Sequence, residues 1–311
     1  MKFVALGRTH LLFDAIKLAV QNGYECCAII TNEAAPEYKV GVEDFKHLAE
    51  EIGASFFNVS NLNSELLRQE IAKSGAQVGI SVNWPVLIKK DFRSLLPYGV
   101  LNAHAGDVPR YKGNACPNWA LLNGEEEVCL SLMQMDDGLD SGPVFKKIYL
   151  PIDEGTYISK IYDDLEKHTP LLFLDALHSI SEGNFSTEPQ PIDPDTFLRV
   201  YPRRPEDGKI DWNTSFIQVD RLIRASAEPF AGAFSFLDDG RKITIWRARK
   251  EEHVGSFLAV PGQVAGINRK SGEIRVLCRD GVICIEEVQL EDEEKRCLPS
   301  DVIRSMRERL H

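Results

Sequence analysis

Residues 3–31 read FVALGRTHLLFDAIKLAVQNGYECCAIIT, and the order of apolar groups in this stretch decides the fold class. Phe3 to Leu6 is a short unbroken apolar run, the pattern of a strand buried on both faces, and Gly7 stops it. From His10 to Asn22, the residues Leu12, Ala15, Ile16, Ala19 and Val20 recur at helical spacing. Asn22-Gly23 supplies the C-terminal stop. Cys26 to Thr31 reads as a second strand. A strand, a helix and a strand in about thirty residues make one βαβ unit.

The alternation continues outward. Glu43 to Ile52 carries Phe45, Leu48, Ala49 and Ile52 on one face, with Gly53 after it. Ser55 to Val59 is strand-like, Leu66 to Ser74 helical, Val78 to Val82 a strand and Val100 to Asn102 another. Strands alternating with helices of this length predict an α/β fold with a doubly wound, mostly parallel sheet. In such sheets ligands bind at the carboxyl ends of the strands, so residues just after strands matter most.

Tyr157 to Glu182 reads as a helix with an apolar stripe. Gly183 to Gly208 then holds five prolines (Pro189, Pro191, Pro194, Pro202 and Pro205), the composition of a linker or a strap across a surface. Beyond a short helix at Val219 to Ala227, five alternating runs separated by Gly and Asp turns predict a small antiparallel, open barrel-like domain. These runs are Ala233–Phe236, Lys242–Ala248, Gly262–Ile267, Glu273–Cys278 and Val282–Glu287. The expected division is 1–183 for the catalytic domain, 184–208 for the linker and 209–311 for the barrel-like domain.

With 311 residues, 43% of them hydrophobic and 27% charged, the chain has the composition of an ordinary globular protein of two domains. No run approaches the roughly 18 apolar residues of a membrane span, and Gly7 and Arg8 come too early for a signal-peptide core. A cytoplasmic protein is expected. Its seven cysteines are odd in number and sit mostly in apolar runs, as free thiols do in a reducing compartment. No CxxC, HExxH or clustered His/Cys spacing suggests a metal. The net charge is −11, from 36 basic and 47 acidic residues, which suits a small partner better than a nucleic-acid backbone.

The first strand is followed by one glycine rather than GxGxxG, and no Walker A pattern occurs, which counts against a dehydrogenase or an NTPase. The richest stretch is 100–145, VLNAHAGDVPRYKGNACPNWALLNGEEEVCLSLMQMDDGLDSGPVF. Asn102 and His104, two apart at a strand end, project to one face. Gly106, Pro109 and Gly113 then force an irregular loop, and Asp136, Asp137 and Asp140 lie in a second Gly-rich turn able to return to the same place. An amide, an imidazole and a carboxylate together suit acyl transfer, with Asn donating to a developing oxyanion and Asp supporting the imidazolium. A core histidine and an Asx turn are the plainer alternative for the same residues.

The string also resembles a known family, the formyltransferases that use 10-formyltetrahydrofolate. The likeness rests on Asn102-Ala103-His104, Val108-Pro109-Arg110-Tyr111-Lys112-Gly113, Trp119-Ala120, Gly124 and Leu139-Asp140-Ser141-Gly142-Pro143. It continues through Arg203–Trp212, Ile223-Arg224-Ala225 and Pro229–Phe234, and so covers nearly the whole chain. The sequence departs from the pattern at Ala105-Gly106-Asp107-Val108, where many relatives read Pro-Ser-Leu-Leu or Gly-Ser-Leu-Leu. Carried over position by position, the resemblance implies Asn102, His104 and Asp140 as the catalytic trio. It implies 10-formyltetrahydrofolate as co-substrate, no metal, and pterin contacts from Asn83, Trp84, Pro85, Val86, Leu87 and Asp136.

Two subfamilies share this two-domain architecture, methionyl-tRNA formyltransferases and formyltransferases of sugar-nucleotide amines. The tRNA enzymes resemble one another in a basic insertion after the second strand. Here the corresponding residues, Thr31 to Asp44, hold four acidic side chains and one lysine. That favours a nucleotide-linked amino sugar over tRNA, with a methionyl-tRNA or a hydroxylamine acceptor as the alternatives. A folate hydrolase or a non-catalytic binder is more remote. Tyr111, Lys112, Arg203, Arg204 and Arg224 are the expected acceptor contacts, the cations serving a diphosphate. No membrane partner is expected, and a homodimer is compatible with the sequence.

Overall fold

The computed structural model describes residues 1–33, 39–191, 197–251 and 257–311. Ala34 to Tyr38 of the acidic stretch and Pro194 of the proline-rich segment therefore lie outside the described residues. The chain forms two compact units. The first comprises Met1–Cys116, Val128–Leu150 and Tyr162–Val200; the second comprises Pro117–Glu127, Pro151–Ile161 and Tyr201–His311.

The first unit is built on a seven-stranded sheet in the order β3-β2-β1-β4-β5-β7-β8. Its strands are β1 (Lys2–Gly7), β2 (Glu25–Thr31), β3 (Ser55–Asn58), β4 (Val78–Val82), β5 (Val100–His104), β7 (Glu127–Gln134) and β8 (Val144–Pro151), and the short β6 (Tyr111–Gly113) lies outside it. From β3 to β5 every pairing is parallel, whereas β7 runs antiparallel to β5. The helices α1 (His10–Gln21), α2 (Val42–Ile52), α3 (Glu65–Ser74) and α4 (Lys90–Arg93) make the crossovers; α5 (Cys116–Asn123) falls, after its first residue, in the second unit, and α6 (Ile158–Glu182) falls in the first from Tyr162 onward. Phe3, Val4, Ala5 and Leu6 are wholly buried, as strands covered on both faces must be. Gly53 and Gly75 end α2 and α3 in the left-handed conformation that glycine adopts without strain.

The proline-rich segment crosses the first unit as a strap. Val144 and Glu188 exchange backbone hydrogen bonds at 2.8 Å, Phe185 stacks on Phe145, and β9 (Leu198–Val200) pairs in parallel with β6.

The second unit holds α7 (Phe216–Ser226), an antiparallel sheet in the order β10-β11-β14-β13-β12, and α8 (Pro299–Val302). Its strands are β10 (Ala233–Phe236), β11 (Lys242–Glu251), β12 (Val264–Ile267), β13 (Ile274–Leu277) and β14 (Val282–Leu290). The five expected strands are present. The last residues of the sequence add a further stave. On one side, Glu308 and Leu310 hydrogen-bond to Val264 and Gly262 beside β12; on the other, His311 and Phe236 of β10 exchange backbone bonds at 2.9 and 3.0 Å. The two edge strands are thereby bridged. Trp212, Ile223, Ile245, Val276, Ile285 and Leu310 belong to one buried cluster.

No helix among the described residues is long and apolar enough to cross a membrane. All seven cysteines are free, and five of them are buried.

Candidate active site

Strand β5 ends on His104, at the carboxyl edge of the parallel sheet, with Asn102 two residues earlier and half-buried. His104 Nε2 lies 2.9 Å from the backbone oxygen of Tyr111. A carbonyl oxygen only accepts, so Nε2 carries the hydrogen and donates it. In the neutral ring the lone pair is therefore on Nδ1, which lies 3.8 Å from Asp140 Oδ2. The two side chains are only 9% and 15% exposed, so water does little to screen them.

Several neighbours hold the imidazole in this orientation. Gly106 packs against it so closely that a β-carbon there would lie 2.4 Å from Nε2 and 2.6 Å from the Tyr111 oxygen. The Gly106 carbonyl accepts a 2.7 Å hydrogen bond from the buried Ser131 hydroxyl, on the strand residue opposite His104. Cys116 Sγ is 3.6 Å from Nε2, and burial, with the nearby Asp140 charge adding to it, pushes its thiol up to about 12. A thiol so firmly protonated packs and hydrogen-bonds but is no nucleophile.

Asp140 arrives from the turn Asp136–Gly142. Asp136 Oδ1 accepts from Gly138 N–H at 2.9 Å and from the Ser141 hydroxyl at 2.7 Å, closing the turn on itself. Gly142 is required because a β-carbon there would meet the Gln134 oxygen at 1.7 Å. Asp140 itself has φ +47°, a left-handed conformation that aspartate tolerates better than most residues. Its Oδ2 accepts from Gly113 N–H at 2.9 Å. Asp137 pairs with the buried Arg93.

The other expected contacts are distributed as follows. After β4, Asn83 adopts φ +54°, Pro85, Val86 and Leu87 are exposed, and Trp84 packs partly buried against the core. Ser81 Oγ and Trp84 Nε1 are buried without a hydrogen-bond partner among the described residues. Asp136 uses one carboxylate oxygen inside its own turn. The Tyr111 ring is buried, and Lys112 lies over the Phe197 ring at 5.3 Å.

The three arginines belong to the second unit. Arg203 donates to the Ala225 and Asp207 carbonyls and to the Ser226 hydroxyl. Arg204 is exposed, and its backbone N–H donates to Asp207 Oδ2 at 2.7 Å. Arg224 is 6% exposed and donates to Asp220 Oδ2 and the Thr156 carbonyl, both at 2.9 Å. It was expected at the acceptor, but the structure engages it inside its own unit.

Sequence reasoning did not single out the supports of this site: the Tyr111 carbonyl, the Gly113 N–H, Ser131 and Cys116. Two are backbone groups with no residue signature, and the others are side chains common in any core or loop. Only the glycine at 106, where the family pattern has serine, offered a signal.

An amide and an imidazole stand near the carboxyl end of one strand of a doubly wound fold, with a carboxylate from a Gly-rich turn 3.8 Å from the imidazole, and these are residue types suited to acyl transfer. A family model described as formyl transferase matches residues 1–177, and one described as formyl transferase, C-terminal domain, matches 203–307. The chain belongs to the formyl transferase family and is a transferase. It is 28% identical over 300 residues to a methionyl-tRNA formyltransferase of Caldanaerobacter subterraneus, covering 95% of this chain and 94% of that one. It is 27% identical to the methionyl-tRNA formyltransferase of Ruminiclostridium cellulolyticum over 307 residues, or 98% and 96% of the two chains. Among solved structures, the sugar 3N-formyl transferase WlaRD, with dTDP and 5-N-formyl-THF, superposes with a TM-score of 0.65 at 15% identity, covering 94% of this chain and 98% of that one. The Helicobacter canadensis N-formyltransferase, in complex with folinic acid and dTDP-3-aminofucose, gives 0.64 at 16% identity over 93% and 99%. HypX from Aquifex aeolicus with tetrahydrofolic acid gives 0.62 at 18% identity over 98% of this chain and 47% of that one. At these identities the structures speak for the fold alone.

Proposed function

We propose that the protein transfers a formyl group from 10-formyltetrahydrofolate to the amine of a nucleotide-linked amino sugar. The donor supplies the activated formyl carbon. In this reading the Asn102 amide donates to the formyl oxygen as negative charge develops there. His104 works through Nδ1, because Nε2 is held by the Tyr111 carbonyl. Asp140 stabilises the imidazolium and takes part in removing the amine proton; as the new carbon–nitrogen bond forms, the bond from the formyl carbon to N10 of the donor breaks, N10 takes up a proton, and tetrahydrofolate leaves. The loop after β4 suits the donor: exposed Val86 and Leu87 offer apolar surface, and the unpartnered Ser81 Oγ and Trp84 Nε1 offer polar partners.

One observation carries the choice of acceptor. The stretch 31–44 has a single cation, Lys39, and that lysine is paired with Glu166, which also lies 2.7 Å from His10 Nε2. A loop whose only positive charge is already neutralised gains nothing from RNA phosphates. Elsewhere, residues 201–311 hold 19 basic and 19 acidic side chains, so the whole net charge of −11 falls on residues 1–200. For the diphosphate of a small acceptor the cation carried forward in the first unit, which also holds Asn102, His104 and Asp140, is Lys112. The competing reading, a methionyl-tRNA acceptor, is favoured by the names of the curated relatives.

Competition decides between them. Methionyl-tRNA and a panel of UDP-, dTDP- and GDP-linked amino sugars are offered together with labelled formyl donor. Label on an amino-sugar nucleotide is the expected result, and label on the tRNA overturns it.

A further inference from the structure

The strap contributes more to the site than a connection. Gln190 projects from it beneath the Asp140 turn, and its Nε2 donates to the backbone oxygens of Asp140 at 3.0 Å and Gly142 at 2.8 Å. Both partners are acceptors, so the amide nitrogen must face them and the orientation of the side chain is fixed. These are the carbonyls of the residue whose backbone is left-handed and of the glycine that no larger residue can replace. Further along the same strap, Leu198 N–H donates to the Arg110 carbonyl, and Val200 accepts from Asn114 N–H at 3.2 Å. That short ribbon holds Gly113, whose N–H donates to Asp140 Oδ2. One segment therefore fixes the backbone of Asp140 through a side chain and its carboxylate through a paired strand.

We propose that Gln190 is a positioning residue for formyl transfer, acting through Asp140. The proposal rests on the reading of Asp140 as the catalytic carboxylate. Without the amide, two carbonyls lose their donor, and the backbone that aims the Asp140 carboxylate toward His104 Nδ1 is held less firmly, with only the Gly113 N–H left on the carboxylate. A misplacement of that size typically lowers turnover by one to two powers of ten without changing what binds.

The test is steady-state kinetics on Gln190→Leu, Gln190→Glu, Asp140→Asn and the double variant Gln190→Leu/Asp140→Asn, each also checked by thermal melting. Gln190→Leu keeps the bulk and removes both donors; it should lower kcat about tenfold to fiftyfold, with both KM values within about twofold of the parent. Gln190→Glu, which sets a carboxylate against two carbonyls, should fall further. A residue that acts through Asp140 adds nothing once Asp140 is disabled, so the double variant should match Asp140→Asn within about twofold. If Asp140→Asn is crippled while Gln190→Leu turns over normally, or if the two losses multiply, the positioning role is overturned. If Asp140→Asn itself turns over at the parent rate, the assignment of Asp140 falls first.

Discussion

Asp220 and Arg224 of the second unit lie 2.9 Å apart, both nearly buried, and the arginine also bonds the Thr156 carbonyl. His104 and Asp140 of the first unit stand 3.8 Å apart, although they too are nearly buried. The Asp220 pair is closed. Burial holds its carboxyl above the usual range, and the arginine beside it works against that shift. The His104 pair is open: Nε2 is occupied by a backbone carbonyl, and Nδ1 faces a carboxylate beyond ordinary hydrogen-bond length. Buried charge can thus be arranged to stabilise a domain or to leave a proton-handling atom in reserve. In the sequence Arg224 was a candidate acceptor contact and His104 a candidate catalytic group; satisfaction of their hydrogen bonds separates them.

Four variants probe that contrast. The largest effect belongs to His104→Ala, which should lower kcat at least about a thousandfold while the melting curve stays close to the parent's. Near-parental turnover would erase the functional side of the comparison. Arg224→Met should act on stability, costing about 3–5 kcal/mol in urea unfolding because Asp220 is left buried and unpaired. Its acceptor KM should change by less than about twofold; a large rise in KM would restore Arg224 to the acceptor site. Gly106→Ala should lower kcat roughly tenfold to a hundredfold, since the added methyl must displace the imidazole or the Tyr111 carbonyl. A crystal structure of that variant with both His104 and the Tyr111 carbonyl unmoved would contradict the account of the close contact.

The smallest effect is expected at Glu166. Burial alone would raise its carboxyl, but hydrogen bonds from Lys39 and His10 outweigh it and hold the group below the usual range. A carboxyl depressed in the folded state adds stability above its unfolded value and loses it as pH falls through the folded one. The parent should therefore lose stability progressively below about pH 4.5. Glu166→Gln should be slightly less stable at pH 7 and flatter over the acid range, as urea midpoints from pH 3 to 7 would show.

The fold was legible where hydrophobic period maps directly onto geometry. Phe3–Leu6 and Cys26–Thr31 are buried strands, the helix between them presents Leu12, Ala15, Ile16 and Ala19 to the core, and the five C-terminal runs form one antiparallel sheet. The loop from Gly106 to Gly113 was read as irregular, yet it ends in the short strand β6, whose glycine and proline neighbours hide so short a period; α5 and β7 beyond it were not assigned. His104 and Asp140 could be picked out because an imidazole and a carboxylate are residue types suited to moving a proton, and the structure places them 3.8 Å apart. What holds them could not. A carbonyl at Tyr111 and an N–H at Gly113 exist at almost every residue, and only the folded path gives them a task. Gln190 lay in a stretch whose composition spoke of connection alone. The acceptor was the least legible feature, because it depends on where a few charges sit rather than on their number.

The stave formed by residues 308–311 has a consequence for the birth of the protein. A chain made in order from its first residue completes β10 to β14 before the segment that bridges β10 and β12 exists. During that interval the nascent sheet carries two unpaired edges, each a template for a strand from another chain. Closure comes only with residues 308–311. The second unit is thus most exposed to misassembly just before residues 308–311 are made, and removing those four residues would prolong that exposure for the life of the molecule.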